Sequence, residues 1–409
     1  MEIETLKRSH LKRNILIAVI VVLIISAVIL NFTRARYRVT ESIPLVNGVI
    51  NYTAPDLNAI ALYVDGVSTD TLPTGNYELT SESYCEIDGE RAEVTLSYDS
   101  ATQALSVSPF TTRGTKCYLY FEEVTGTPII EVIEEAYENN QDILAYDGTD
   151  DNNLRYIGAN PANYVYFNCS DYSNPSSSTC ELWRIIGIFN ENTHGVSGEK
   201  LIKLTRNELL DRQAFDSDDS NYWGYASLQE ILNGDYLNKS GDYSSTGITT
   251  QTRDMIETVT WKVGAAMMGS ANDKNASTIY TYERGNSSYN GRPTTWEGKI
   301  GLIYPSDYGF ATSGGSTGRE MCLSYGLRND WDDDDNCSEN DWLDMHTSML
   351  TITPDQRYAG GLVYIASGSV YGGNIADNGS QWVLPSLYLT SDVTIFGGSG
   401  TESDPYLLK

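Results

Sequence analysis

The sequence predicts an α+β, β-rich fold held outside a membrane by one N-terminal transmembrane helix. Three observations predict it: a single uncharged apolar run near the N-terminus, six cysteines that all follow it, and a long remainder built of short alternating strands with few helices. At 409 residues, 40% of them hydrophobic and 20% charged, the chain can bury more than one core, and two folded domains are expected after the anchor.

Residues 1–14 form a basic tail containing Lys7, Arg8, Lys12 and Arg13, followed by the charge-free run "ILIAVIVVLIISAVILNF", Ile15 to Phe32. At 1.5 Å per residue that run reaches roughly 27 Å, close to the ~30 Å of a hydrocarbon core, so the lipid bilayer is the predicted partner of residues 15–32. A cleaved signal peptide has a shorter apolar core and small residues at its cut. Here "LNFTRARYR" follows and offers no such site, which predicts a retained signal anchor. Four basic residues precede the span and Arg34, Arg36 and Arg38 follow it, a small bias toward a cytoplasmic N-terminus.

Cys85, Cys117, Cys169, Cys180, Cys322 and Cys337 all follow the span and fall into three neighbouring pairs. No CxxC spacing and no nearby histidine suggests a metal site. Three local disulfides in an oxidising compartment are expected, which places the domains after the anchor outside the cell.

Residues 46–125 read as a small β-sandwich domain. In "AEVTLSYDSATQALSVSP", Val94, Leu96 and Tyr98 share one face, and Leu105 and Val107 return after a turn, which predicts a hairpin. "KCYLYFEE" reads as a further strand, stapled by Cys85 and Cys117. Residues 128–140, "PIIEVIEEAYENN", place Ile129, Val132, Ile133, Ala136 and Tyr137 at the spacing of one helical face behind a proline, and are expected to form a linker helix.

Residues 147–409 form the larger, loop-rich domain. "NYVYFNC", "ELWRIIGIF" and "KLIKLTRN" read as strands, as does the closing series "GGLVYIAS", "GSVYGG" and "SQWVLPSLYLT". Two helices are expected among them: "ASLQEILNGDYLN", with Leu228, Ile231, Leu232 and Tyr236 on one side, and "ITTQTRDMIETVTW", with Met255, Ile256 and Val259 together. The mixture indicates an α+β domain.

Six stretches, in order, carry a family resemblance: "ELWRIIGIF", "LQEILNGDYLN", "YERGNSSYNGRPTTWEGKIGLIYPSDYGFATSG", "CLSYGLRNDWDDDDNCSENDWL", "VLPSLYL" and "GGSGTESDPYLL". They resemble a large family of uncharacterised membrane-anchored surface proteins from gut Firmicutes and related wall-poor bacteria. Through the tryptophan-bearing strand and the closing "PSLYL", the larger domain is also distantly similar to C-type-lectin-like modules, the fold of formylglycine-generating enzymes. The resemblance implies cell-surface location and a C-type-lectin-like architecture, not an activity. Every cysteine has an expected disulfide partner, which would leave none for formylglycine chemistry, and no Glu-Pro-Asn triplet precedes a Trp-Asn-Asp strand as in calcium-dependent lectins.

Composition narrows function further. With 55 acidic residues against 27 basic ones and a net charge of −28, the chain has no surface for neutralising phosphates, so nucleic acid is not expected as a partner. His194 and His346 are the histidines beyond the anchor, and although Asp341 and Asp344 lie close to His346, no nucleophile elbow accompanies them. No catalytic residue is therefore assigned. The 29 tyrosines and 7 tryptophans supply flat faces for stacking on sugar rings or peptide.

One run asks for a metal. Counting from Asp330, Asp332 and Asp334 fall at positions 3 and 5 and Asp341 at position 12, the ligand spacing of a calcium loop, although Asp335 stands where that loop needs glycine. The main reading is a solvated acidic loop closed by Cys322 and Cys337. Calcium on Asp330, Asp332, Asp334 and Asp341 is the alternative, and no other cofactor is expected. The expected function is binding or adhesion to an extracellular glycan or protein ligand. A carboxylate-based enzyme acting on glycans and a purely structural envelope component are the alternatives.

Overall fold

The computed structural model describes residues 57–73, 77–99, 104–108, 115–269 and 274–409, in two units that divide between Glu123 and Val124. The protein is β-rich, with open sheets and no barrel among the described residues. The apolar segment 15–32 lies outside the described residues, and among those described no helix is long and apolar enough to cross a membrane.

In the first unit, strand Thr115–Glu123 alternates strictly: Thr115, Cys117, Leu119 and Phe121 are buried, while Lys116, Tyr118 and Tyr120 face outward. It pairs in parallel with Leu57–Val64 and antiparallel with Tyr77–Leu79 and Tyr84–Ile87, forming the middle of a six-stranded sheet. Cys85 lies directly across from Cys117, so their disulfide links register partners. The predicted hairpin is present as Thr95–Asp99 paired with Ala104–Ser108. Its Leu96, Leu105 and Val107 pack with Leu62, Cys85, Leu119 and Phe121, giving this unit its own small core. On the opposite face Tyr63 stacks on Tyr120 and Tyr84 on Tyr118.

The second unit is built on a ten-stranded sheet whose main path runs Ile300–Leu302, Pro385–Tyr388, Leu201–Arg206, Glu181–Phe189, Tyr164–Phe167, Tyr406–Leu408, Thr394–Gly397, Thr127–Pro128. "ELWRIIGIF" is the long strand Glu181–Phe189, buried from Trp183 to Phe189 because the sheet is covered on both faces here. Its Gly187 is required by a close approach: a Cβ there would sit 2.1 Å from the Leu154 carbonyl oxygen of the strand Leu154–Tyr156. A five-stranded sheet, Leu210–Gln213, Gln381–Val383, Met349–Pro354, Gly361–Ala366 and Ser369–Asn374, and the pair Val259–Lys262 with Thr295–Gly298 complete the β structure.

The helix expected over 128–140 forms as Ile129–Asn139 and belongs to this second unit, with Ile129 and Ile133 buried in its core. Strand Thr127–Pro128 just ahead of it pairs with Thr394–Gly397, so the helix is fastened to the sheet. "ASLQEILNGDYLN" forms an α-turn, Ser227–Ile231, that widens into a π-turn, Leu232–Tyr236, with Leu228, Leu232 and Tyr236 buried. The helix read from "ITTQTRDMIETVTW" is shorter than expected. Thr249 caps it, it ends at Asp254, and Val259 is instead the first residue of a strand paired with Thr295–Gly298. The β-branched Val259 and Thr260, with Trp261 beside them, favour the extended pairing, and Val259 and Trp261 bury their side chains from it.

Candidate functional site

At one end of the ten-stranded sheet, strand Tyr164–Phe167 stops where Glu181–Phe189 starts and Leu201–Arg206 finishes. The loop closed by Cys169–Cys180 and the turn before Tyr406–Leu408 rise around this point. Between them lies a groove of about 420 Å³ lined by Tyr166, Ser177, Cys180, Glu181, Leu182, Arg206, Glu208 and Glu402. That volume is of the size that takes a small ligand or one to two sugar rings.

Two of its polar side chains are held in place. Glu181 Oε2 accepts hydrogen bonds from Trp183 Nε1 at 3.0 Å and Arg206 Nε at 3.1 Å. This geometry follows from the alternation of the sheet, since Glu181 and Trp183 share a face and Trp183 is the register partner of Arg206. Arg206 Nη1 also donates to the Glu208 carbonyl at 3.3 Å. Burial alone would lower the pKa of Arg206, but nearby Tyr236 and Glu181 raise it above the ordinary value, so the guanidinium keeps its charge. Glu208 and Glu402 are exposed, and Tyr166 is half-buried. Three acidic residues, Glu181, Glu208 and Glu402, therefore line the groove with one guanidinium and a phenol ring, a lining that favours hydroxyl and cationic donors over anions. Glu181, bonded to both Arg206 and Trp183, orients the wall of the groove.

No family model, curated protein or solved structure matches the chain.

The residues singled out from the sequence are dispersed. Cys85–Cys117, Cys169–Cys180 and Cys322–Cys337 are all joined as the spacing predicts. Asp330 is exposed on the short helix Asn329–Asp332, which also contains Asp332. Asp334 accepts hydrogen bonds from Thr317 Oγ1 at 2.8 Å and from the Asn336 backbone N–H at 3.1 Å. Asp341 is buried and accepts from the Leu343 N–H at 2.9 Å. Among the described residues no group of three or more His, Cys, Asp or Glu side chains is placed to hold a metal ion.

The two histidines differ sharply. His194 is buried, with Nε2 3.2 Å from the Phe189 carbonyl and Nδ1 accepting from the Val196 N–H at 3.2 Å. Burial lowers its pKa, so it is a neutral packing residue of fixed tautomer. His346 is 74% exposed, with Nδ1 3.4 Å from Asp344 Oδ2.

Sequence reasoning missed the groove because Tyr166, Cys180, Arg206 and Glu402 come from segments far apart that only the sheet assembles. It also missed a buried charge cluster of Asp147, Arg155, Lys203 and Asp307, for which a local signal existed. Lys203 interrupts "LIKLT", a run in which every residue is buried.

Proposed function

We propose that this chain is a single-pass, externally displayed surface protein whose C-terminal unit binds a polyhydroxylated ligand, a glycan, in the groove between Tyr166 and Glu402. The observation that carries the reading is the lining of that groove: one half-buried aromatic face, one ordered guanidinium and three carboxylates, enough to stack on a sugar ring and accept its hydroxyls. The extracellular placement rests on three disulfides with no free cysteine among the described residues. The anchoring helix over 15–32 and the C-type-lectin-like architecture belong to the same proposal.

Full-length protein in detergent, screened against neutral, cationic and acidic glycans, should retain neutral or amino-sugar glycans and ignore sulfated or sialylated ones. Tyr166→Ala should weaken binding of the retained glycan about tenfold through the lost stacking face. Glu402→Gln should weaken it less, and substitution of the exposed Glu339, outside the groove, should leave it unchanged. Preference for acidic glycans, or binding indifferent to Tyr166, would remove the groove from the account.

A further inference from the structure

Lys203 and Asp307 lie 104 residues apart, on strand Leu201–Arg206 and helix Pro305–Phe310, yet Lys203 Nζ is 2.5 Å from Asp307 Oδ2 with both side chains at 0% exposure. Asp307 Oδ1 accepts from Arg155 Nη1 at 2.7 Å, and Oδ2 also accepts from the Tyr304 backbone N–H at 3.0 Å. Aromatic rings enclose the ammonium: Tyr304 at 4.3 Å, Trp261 at 5.5 Å, Phe189 at 5.6 Å and Tyr388 at 5.7 Å from their centroids. We propose that Lys203 and Asp307 condense to an intramolecular amide that covalently ties strand Leu201–Arg206 to helix Pro305–Phe310.

The site supplies what that condensation needs. Amine and carboxyl are held in contact by two rigid elements, which replaces an encounter in solution with a step inside one molecule. Lys203 passes a proton to Asp307 Oδ2 along the existing hydrogen bond, and Nζ attacks Cγ. Negative charge then gathers on Oδ1, where the Arg155 guanidinium already points, as an oxyanion site requires. A second proton moves from Nζ to Oδ2, the Cγ–Oδ2 bond breaks, and water leaves. Ammonium plus carboxylate gives amide plus water, so the balance needs no oxidant and no further reactant.

Charge and solvation favour the product over the ion pair. Two charges in a dry, aromatic-lined interior are costly to maintain, and the amide removes both. No charge is stranded afterwards, because Arg155 Nε remains 2.9 Å from Asp147 Oδ2. Water to reverse the reaction is excluded by the same rings. Burial lowers the Lys203 pKa to about 8 against the opposing pull of Asp307, which loosens the proton it must give up. Burial would raise Asp307, but Lys203 and Arg155 together hold it at about 2, so the ionised pair is the state from which the proton transfer starts.

The test is the intact mass of the full-length chain after prolonged incubation at neutral pH and reduction of its disulfides. The expected mass is lower than the sequence requires by one water molecule, and proteolysis should yield one branched peptide containing Lys203 and Asp307. Lys203→Arg keeps the charge but removes the amine, so that chain should have its full mass, a readout that survives even if the variant folds poorly. A wild-type chain of full sequence mass after incubation would overturn the proposal, as would the same water loss in Lys203→Arg.

Discussion

Asp341 carries a carboxyl into the interior with Oδ1 bonded to the Leu343 N–H and Oδ2 without a hydrogen-bond partner among the described residues. Burial pushes this group well above the carboxylate range. The Leu343 N–H and Arg319 oppose the rise, and Asp344 adds to it. An acid raised in the folded state binds more protons folded than unfolded. Its contribution is therefore intact below the unfolded pKa of about 4 and is lost as pH climbs through the folded value. Asp341→Asn keeps the acceptor for Leu343 and removes the charge, so at pH 7 it should stabilise the fold by about 1–3 kcal/mol, with little effect at pH 4. Urea unfolding at the two pH values measures this. Destabilisation at pH 7 would instead mean that an ionised Asp341 works with Arg319. The calcium-loop spacing counts Asp341 with Asp330 and Asp334 because spacing records separation along the chain. It does not record that Asp330 is turned to solvent while Asp341 is 3% exposed.

Around the acidic run, elements are too short to stand alone. Helices Arg319–Ser324, Asn329–Asp332 and Asp335–Ser338 have six, four and four residues, far below the ~12–15 at which an isolated helix is even marginal in water. Anchors to the core hold them: the Cys322–Cys337 disulfide, Trp331 Nε1 donating to Tyr308 Oη at 2.9 Å, and Thr312 Oγ1 donating to the Cys337 carbonyl at 2.6 Å. Replacing both cysteines by alanine should cost about 3 kcal/mol, the chain-entropy value for a loop of this length, and should weaken the near-ultraviolet dichroism of Trp331. Thermal melting measures the first effect, and an unchanged melting temperature would make the staple incidental. Elements of this kind mark the limit of legibility. Helix Ile129–Asn139, with three turns of clean periodicity, and the hairpin around Leu96 and Leu105 could be read directly from spacing. Val259 could not, because one helical turn and the start of a strand look alike over five residues, and its pairing with Gly298 is decided 39 positions away. The groove was unreadable for a related reason: Tyr166 meets Leu182 only through strand register, and Glu402 arrives from the last turn of the chain.

Taken whole, the protein is a strongly acidic body. Its net charge of −28 includes a basic contribution from residues 1–38, so the remainder is more acidic still. Self-repulsion of this kind lowers the stability of the compact state and is screened by salt, with a Debye length of about 10 Å at 0.1 M ionic strength. Raising sodium chloride from about 0.02 to 0.2 M should therefore raise the melting temperature, most steeply at the low end of the range. Calcium and magnesium at matched ionic strength separate this diffuse effect from a built site. Asp334 is already satisfied by Thr317 and Asn336, and among the described residues no metal-holding group is assembled. The two divalent ions should therefore produce equal shifts, reversed by dilution, and chelator should leave the protein in sodium chloride unchanged. A shift produced by calcium alone, abolished in Asp330→Asn or Asp341→Asn, would show that the run from Asp330 to Asp341 closes on the ion when it is present. Screening would then account for only part of the stabilisation.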